Sequence, residues 1–224
     1  MDKIIIIGGR GTPTIAAEQF YDAKIRFGMP IEILGFALDD NSMGNHINGF
    51  PILCGIKELY EKYGKYDDVK YSYLLYRPDM MEKWSKFLYS LKIPVEKFAN
   101  LVHPSAMVAK SVKMGYGNTI LANVVVNSNV VMGNFNTINS LSLIAHDSLM
   151  GNNNYLAGNV SIGSGISIGS MNFIGLNSTI RNGITIGDTC IVGMASNVVK
   201  SLESHSIAYG NPAQSKEKLN NIIR

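Results

Sequence analysis

Every sixth residue between Val108 and Val198 is aliphatic or methionine, and the series runs through sixteen consecutive positions without an insertion. An α-helix cannot satisfy this period, because its apolar face recurs every three to four residues. Short strands joined by turns can, since glycine and asparagine tolerate the left-handed backbone that tight turns need. Three hexads per coil give a triangular prism of about five coils, with one apolar residue of each hexad pointing inward. The pattern predicts a parallel β-helix of hexapeptide repeats.

The first hundred residues show a different pattern, in which short apolar runs alternate with helical periodicity. The predicted strands are Lys3–Ile7, Ile31–Leu38 and Tyr71–Leu75, and the predicted helices are about Pro13–Phe27, Ile56–Tyr63 and Met80–Leu91. Such an alternation is typical of a small, mainly parallel, Rossmann-like α/β sheet.

The distribution of charge places the boundary between these regions near His103. Residues 1–100 carry 26 of the 37 charged side chains, whereas residues 101–200 carry six and hold 15 asparagines. We therefore predict an α/β domain over 1–102, a β-helix over 103–200 and a C-terminal tail over 201–224 with a Gly-Asn-Pro-Ala element.

Composition excludes several classes of protein. The formal net charge of the 224 residues is only +3, without the excess of lysine and arginine that nucleic-acid binding requires. No run of about 18 apolar residues is present, so membrane insertion is not expected. Only two cysteines occur, Cys54 and Cys190, which fits a reducing compartment and predicts a cytoplasmic protein.

A glycine-rich turn follows the first predicted strand. Gly8, Gly9, Arg10 and Gly11 lie between this strand and a helix, where exposed backbone N–H groups favour phosphate. The dinucleotide-binding pattern is incomplete because Thr14 replaces its third glycine. Asp39, followed by Asp40, ends the second strand and could accept a hydrogen bond from a ribose hydroxyl or a base. The alternative is that the glycines only form a tight turn and the aspartates only solvate a strand end.

His146 is the one histidine well inside the repeat, and Asp147 is the only carboxylate between Glu96 and Asp188. The pair is expected at a corner of the prism, because His146 comes two residues after the inward Ile144. An imidazole titrates near neutral pH, and a carboxylate can hold its tautomer, so the pair suits a general base. The alternative is a solvent-facing pair with no role. Zinc is disfavoured because the coils offer a single histidine and no cysteine pair.

The whole chain resembles the sialic-acid O-acetyltransferase and bacillosamine-pathway N-acetyltransferase family, whose members have a left-handed β-helix. The resemblance rests on five segments. They are the Ile-Gly-Gly-Arg-Gly turn, Leu38-Asp39-Asp40, His103-Pro104-Ser105-Ala106, Thr137-Ile138-Asn139 ahead of His146-Asp147, and Tyr209-Gly210-Asn211-Pro212-Ala213. The His-Asp pair seven residues after Asn139 is the specific part, because the repeat alone indicates only a hexapeptide protein.

The resemblance implies an acetyl-CoA-dependent N-acetyltransferase acting on a nucleotide-linked 4-amino-4,6-dideoxysugar in surface-glycan biosynthesis. It implies a homotrimer with acetyl-CoA as co-substrate and no metal. His146 would be the general base, Asp147 would orient it, and Asn139 would lie near the reacting centre. The residues implied for acetyl-CoA binding are Tyr155, Gly165, Gly175, Met194, Ala195 and Gly210. Those implied for nucleotide-sugar binding are Gly8, Gly9, Arg10, Gly11, Asp39 and Asp40.

The sequence departs from the family at two positions where a histidine is usual. Thr12 follows the glycine turn, which makes Arg10 the candidate contact for the phosphates of the sugar nucleotide. Tyr155 stands nine residues after His146, and its hydroxyl could hydrogen-bond the acetyl donor. Two other functions stay open: O-acetylation of a sialic acid or related glycan, and a non-catalytic scaffold with a nucleotide-sensing domain.

Overall fold

The computed structural model describes residues 1–218. It begins with an α/β domain whose helices and strands are β1 (Asp2–Ile7), α1 (Thr12–Phe27), β2 (Ile31–Ala37), β3 (His46–Ile47), β4 (Phe50–Cys54), α2 (Leu59–Tyr63), β5 (Val69–Tyr73) and α3 (Met81–Ser90). The strand order is β3-β4-β2-β1-β5, and β1, β2, β4 and β5 run parallel. The chain therefore builds outward from β1 through β2 to β4 and then returns to the other side of β1.

The α/β domain has the predicted class but differs from the prediction in detail. Strands β3 and β4 form an antiparallel hairpin that was not predicted, because Gly49 and Pro51 resemble turn residues. Proline is accommodated there near the edge of the sheet. The predicted helix over residues 56–63 begins as a 3₁₀ turn at Ile56–Glu58, and β5 begins two residues before the predicted strand.

The second domain is a parallel β-helix with three faces. The first face contains β6 (Leu101–Val102), β9 (Thr119–Ile120), β12 (Thr137–Ile138), β15 (Tyr155–Leu156), β18 (Phe173–Ile174) and β21 (Ile191–Val192). The second contains β7 (Met107–Val108), β10 (Val125–Val126), β13 (Leu143–Ile144), β16 (Ser161–Ile162), β19 (Thr179–Ile180) and β22 (Asn197–Val198). The third contains β8 (Lys113–Met114), β11 (Val131–Met132), β14 (Leu149–Met150), β17 (Ser167–Ile168) and β20 (Thr185–Ile186).

Successive coils are in an 18-residue register, so that Ile144 pairs with Val126 on one side and with Ile162 on the other. The inward residue of the hexads from Ile120 onward is at most 5% exposed, and these residues form one continuous apolar core. The predicted fold class, an α/β domain followed by a β-helix of hexapeptide repeats, is confirmed.

The C-terminal segment continues the first face as a hairpin. Strand β23 (Ser206–Gly210) pairs in parallel with β21, and β24 (Ala213–Lys218) runs back antiparallel to it. The Gly-Asn-Pro-Ala element forms the turn of this hairpin. The end of the predicted tail, residues 219–224, lies outside the described residues.

The α/β domain packs on the first face of the β-helix. Gln19 of α1 bridges two coils, since its Oε1 accepts from the N–H of Ala122 at 2.9 Å and its Nε2 donates to Ser140 Oγ at 3.0 Å. A buried hydrogen bond of 3.1 Å joins the hydroxyls of Ser72 in β5 and Thr119 in β9. These bonds join α1 and β5 to coils of the β-helix and so hold the α/β domain against its first face. Within residues 1–218, no helix is long and apolar enough to span a membrane.

Candidate active site

His146 and Asp147 lie at the corner between the second and third faces, in the turn that joins β13 to β14. The 18-residue register stacks this corner on equivalent turns of the neighbouring coils: the N–H of Asp147 donates to Ser128 O, and the N–H of Gly165 donates to His146 O, both at 3.0 Å. Asp147 has a left-handed backbone with φ of 59°, which aspartate tolerates better than most residues. Stacking therefore holds the pair on a rigid frame, while the two side chains stay 60% and 56% exposed.

Both oxygens of the Asp147 carboxylate have partners. Oδ2 lies 2.7 Å from His146 Nδ1, and Oδ1 accepts a hydrogen bond of 2.9 Å from Asn129 Nδ2. The bond to His146 and, after it, the bond to Asn129 lower the pKa of Asp147, so the carboxylate is ionised at neutral pH. An ionised partner requires the proton of a neutral imidazole to be on Nδ1, which leaves the lone pair on Nε2. His146 is thus arranged to accept a proton through Nε2.

A strip without side chains runs from the pair along the corner. Gly165 and Gly183 follow Asp147 at 18-residue intervals, with φ of 63° and 69°. A Cβ atom at either glycine would meet no atom within 4 Å, so the strip is open to solvent on the surface of the prism. An extended chain could lie along it and reach His146.

The glycine turn lies where the strand order reverses. β2 and β5 flank β1, and the chain reaches them in opposite directions. In open α/β sheets, ligands bind at the carboxyl ends of the strands at such a reversal, here the ends of β1 and β5. Gly8 must be glycine, since its φ is 130° and a Cβ would lie 2.7 Å from Pro13 Cγ. Helix α1 has no side-chain cap and no acidic residue in its first turn, so its N-terminal N–H groups remain available to an anion.

The other residues predicted for the nucleotide sugar follow the carboxyl ends of β1 and β2. Arg10 is exposed, and its Nε lies 2.7 Å from Met43 Sδ. Asp39 Oδ1 already accepts the N–H of Ile56 at 2.8 Å, which gives this carboxylate a structural role in the following turn. Hydrogen bonds from Ser42 lower the pKa of Asp40, and the nearby charge of Arg10 adds a smaller effect in the same direction.

Thr12 and Tyr155 are in direct contact. Their hydroxyls lie 2.7 Å apart, which connects the first turn of α1 to strand β15 on the first face. The Tyr155 ring stacks on Phe173 at 5.1 Å and meets Tyr76, which follows β5, at 5.2 Å. A phenol can donate one hydrogen bond and accept others, so this contact leaves the Tyr155 hydroxyl able to bind a further group.

The other residues predicted around acetyl-CoA lie mainly at the corner between the first and second faces. A Cβ on Gly175 would meet the backbone N of Met194 at 2.6 Å, and the N–H of Gly210 donates to Ser196 Oγ at 3.1 Å. Gly175, Met194, Ala195 and Gly210 thus come together at the upper end of the prism. The Met194 side chain is 69% exposed there.

Asn139 also lies at this corner, at a lower coil. It is only 8% exposed and donates its amide to Leu156 O at 2.7 Å. Its side chain therefore bonds the coil backbone, and in residues 1–218 no hydrogen bond joins it to His146 or Asp147.

A single chain separates the predicted site residues into groups. His146, Asp147 and Gly165 share the corner between the second and third faces. The glycine turn, Thr12 and Tyr155 lie at the first face, with the remaining acetyl-CoA candidates at its border with the second. Among the described residues, no group of three or more histidines, cysteines or carboxylates could hold a metal ion.

Three residues that the sequence did not single out now belong to these groups: Asn129, Gly183 and Tyr76. Asn129 and Gly183 lie one coil before and two coils after Asp147, so the 18-residue period would have identified them. Tyr76 carried no such signal, because its approach to Tyr155 depends on how the two domains pack.

No protein-family model matches the chain, and no curated protein matches it. Several solved structures have a similar fold. A variant of perosamine N-acetyltransferase from Caulobacter crescentus, in complex with CoA and GDP-perosamine, has a TM-score of 0.79 at 23% identity, covering 97% of this chain and 98% of that chain. The acetyltransferase domain of PglB from Neisseria gonorrhoeae, in complex with acetyl coenzyme A, has a TM-score of 0.80 at 21% identity, with coverage of 96% and 98%.

WeeI from Acinetobacter baumannii has a TM-score of 0.77 at 23% identity, covering 96% of this chain and 100% of that chain. The similarity extends over both domains of these proteins, because nearly the whole of each chain is matched. The β-helix is of the left-handed kind that these structures share, as the resemblance implied.

Proposed function

We propose that this protein transfers the acetyl group of acetyl-CoA to the amino group of a nucleotide-linked 4-amino-4,6-dideoxysugar, as a step in surface-glycan biosynthesis. The observation that carries the proposal is the exposed His146–Asp147 pair, with a separation of 2.7 Å, on a rigid corner of a β-helix. The named substrates of the similar structures support it: one is a perosamine N-acetyltransferase with CoA and GDP-perosamine, and another contains acetyl coenzyme A.

His146 acts as general base. The neutral sugar amine attacks the thioester carbonyl carbon, and Nε2 of His146 takes a proton from the nitrogen as the N–C bond forms. The C–S bond then breaks, and the proton passes to the departing thiolate of CoA. Asp147 holds the imidazole with Nδ1 protonated and stabilises the transient cation. Backbone N–H groups of the coil turns are the candidate donors to the thioester oxygen as it becomes an oxyanion.

Transfer is direct, without an acetyl-enzyme intermediate. Both cysteines are buried and unpaired. Burial raises the pKa of Cys54 to about 11 and also raises the pKa of Cys190. Neither thiol is therefore a reactive nucleophile at neutral pH.

The α/β domain binds the acceptor. The uncapped N-terminus of α1, the turn from Gly8 to Gly11 and the Arg10 guanidinium suit the diphosphate of a sugar nucleotide. Asp39, with one oxygen bound to Ile56, keeps a second oxygen for the nucleoside, and Asp40 adds a further carboxylate. The sugar would extend from the diphosphate toward Thr12 and Tyr155.

Acetyl-CoA lies along the outside of the β-helix. The strip over Gly165 and Gly183 leaves room for an extended pantetheine arm that ends at His146. Gly175, Met194, Ala195 and Gly210 are proposed to contact CoA of a neighbouring site, at the other border of the second face. Tyr155 and Asn139 are proposed to act near the acetyl group through the Tyr155 hydroxyl and the Asn139 side chain.

We propose a homotrimer, because within one chain the base at His146 lies apart from the glycine turn, which is near Tyr155 and is proposed to bind the acceptor. Aliphatic side chains beside the His146 corner are exposed, with Val131 at 42% and Leu149 at 54%, and a second copy would cover them. Packing around a threefold axis would bring this corner of one subunit to the first face of the next. Light scattering should give about three times the 24.5 kDa of the chain, and a monomer at micromolar concentration would contradict the trimer. A cytoplasmic location follows from the substrates and remains a prediction.

The test of the activity is a screen of purified protein with acetyl-CoA and a panel of nucleotide 4-amino-4,6-dideoxysugars that carry different bases. Mass spectrometry should find one acetyl group added to the sugar nitrogen, and thiol detection should find an equal amount of CoA. O-acetylation of a sialic acid or related glycan is the alternative, and the similar N-acetyltransferases do not favour it. Transfer to hydroxyl acceptors only, or no transfer to any acceptor, would contradict the proposal.

A further inference from the structure

Asn129 is the only side chain, apart from His146, that the described structure joins to the carboxylate of Asp147. It lies one coil below Asp147 at the same corner, and its Nδ2 donates to Asp147 Oδ1 over 2.9 Å. Asn129 is itself anchored from the coil below, since its backbone N–H donates to Ser111 Oγ at 2.9 Å. Ser111, Asn129, Asp147 and His146 therefore form a continuous hydrogen-bonded column that ends at the imidazole.

An anchor of this kind has a physical purpose at this position. The pair is more than half exposed, and water competes with hydrogen bonds between exposed charged groups, so one contact holds two side chains weakly. A carboxylate held through one oxygen can still rotate about its Cβ–Cγ bond. The second bond, from Asn129 to the other oxygen, stops this rotation and directs Oδ2 to His146 Nδ1. The donor is a neutral amide, so it aligns the carboxylate without neutralising the charge that supports the imidazole.

We propose that Asn129 is a positioning residue for the base: it acts through Asp147 to keep Nε2 of His146 directed at the sugar amine. This inference rests on the proposed function and extends it to a residue on a different coil. Asn129 does not touch the substrates in this account, so its effect is on turnover and not on substrate binding.

The chain offers a variant that removes the side chain without straining the corner. Asn129 has φ of 61°, and the equivalent positions two and three coils further on are Gly165 and Gly183 with similar φ. Asn129→Gly therefore places at this corner a residue that the β-helix already uses there. We expect kcat to fall about tenfold, the factor that corresponds to one lost charge-assisted hydrogen bond, with the KM values for both substrates unchanged.

A matched control exists at another corner. Asn123 has φ of 59°, is exposed, and its backbone N–H donates to Ser105 Oγ one coil away at 3.0 Å, as that of Asn129 does to Ser111 Oγ. Asn123→Gly makes the same change of residue at the corner between the first and second faces, four coils below Ala195, where no substrate contact is proposed. It should leave kcat at the wild-type value. Equal losses of kcat in the two variants would overturn the inference, because they would indicate a general effect on the coils.

A double-mutant cycle distinguishes action through Asp147 from an independent effect. In the Asp147→Asn background, Asn129→Gly should lower kcat by less than twofold, because the carboxylate that it positions is gone. A full tenfold loss in both backgrounds would contradict the inference. His146→Ala, measured in parallel, separates this outcome from a failure of the proposed function. If His146→Ala keeps full turnover, the assignment of His146 as general base is wrong. If His146→Ala loses turnover but Asn129→Gly has the same kcat as its control, only the positioning role of Asn129 is wrong.

Discussion

The two domains hold their candidate functional groups in different ways. In the β-helix, the backbone of each corner repeats that of the corner before it and is fixed by hydrogen bonds to the coils on either side. His146 and Asp147 differ from the equivalent residues of other coils only in their side chains. In the α/β domain, the candidate groups come from unlike elements: the end of β1, the first turn of α1 and the segment after β2. The repeating scaffold suits accurate placement of the base, since stacked coils resist displacement. The sheet edge suits recognition of an acceptor with several chemical parts.

Under the proposed function the two domains have separate roles, so substitutions in each should change different kinetic constants. A substitution at the β-helix corner should change turnover. A substitution in the glycine turn should change acceptor binding. A substitution where the domains meet should change stability.

The largest effect is expected from His146→Ala. Loss of general-base assistance should lower kcat by roughly 10²–10⁴-fold, while calorimetry should give an affinity for acetyl-CoA close to that of the wild type. Asp147→Asn should cost less, because the imidazole remains. His205→Ala is a suitable control, since His205 Nδ1 also lies near a carboxylate, 4.0 Å from Glu82 Oε1, yet belongs to the C-terminal segment. Comparable losses in the His205 and His146 variants would refute a specific role for the corner.

The next effect is expected from Arg10→Ala. The lost charge at the N-terminus of α1 should raise the KM for the nucleotide sugar about tenfold, with kcat and the KM for acetyl-CoA near wild type. Arg26→Ala removes the same charge from the last turn of the same helix, where Arg26 pairs with Asp22, and should leave all three constants unchanged. A rise in the KM for acetyl-CoA alone would contradict the prediction, because it would indicate that Arg10 contacts acetyl-CoA and not the nucleotide sugar.

A smaller effect is expected where the domains meet. Thr12→Val and Tyr155→Phe each remove one hydroxyl from a bond of 2.7 Å, and each should reduce the free energy of unfolding by about 0.5–1.5 kcal/mol. Together they should cost less than the sum of the single changes, because both break the same bond. Strictly additive losses in denaturant titrations would indicate that the hydroxyls act independently in solution.

The smallest effect is expected from pH. His103, at the start of the β-helix, is 4% exposed, and burial lowers its pKa below the ordinary imidazole value. The unfolded chain then takes up the proton at higher pH than the folded chain, so stability is full above the ordinary value and declines as pH falls through it toward the folded-state pKa. His103→Gln should reduce the loss of stability between pH 7 and pH 5, whereas the same change at the exposed His46 should not. An unchanged slope for His103→Gln would contradict burial as the cause.

The sequence predicted the β-helix almost residue by residue, because a six-residue repeat that can be read locally determines which side chains point inward. The strand β4 escaped prediction because its pairing with β2, and not its composition, makes it a strand. The candidate site was predictable in part. His146 and Asp147 stand out against a nearly uncharged repeat, and the register of the coils would reveal Asn129. The contact of Thr12 with Tyr155 spans 143 residues and depends on domain packing, for which a single sequence carries no signal.

The central claim is that the base, His146, and the glycine turn of one active site come from two different subunits. Mixing of variant subunits tests this claim most directly. His146→Ala and Arg10→Glu subunits would be co-expressed with different tags and purified through both, and kcat/KM for the nucleotide sugar would be measured, since both substitutions should lower it. Every mixed trimer then contains one interface with an intact base facing an intact turn, which predicts about one third of the wild-type kcat/KM. Mixed trimers with a kcat/KM no higher than that of the parent variants would contradict the claim, because the base and the glycine turn of each site would then belong to one chain.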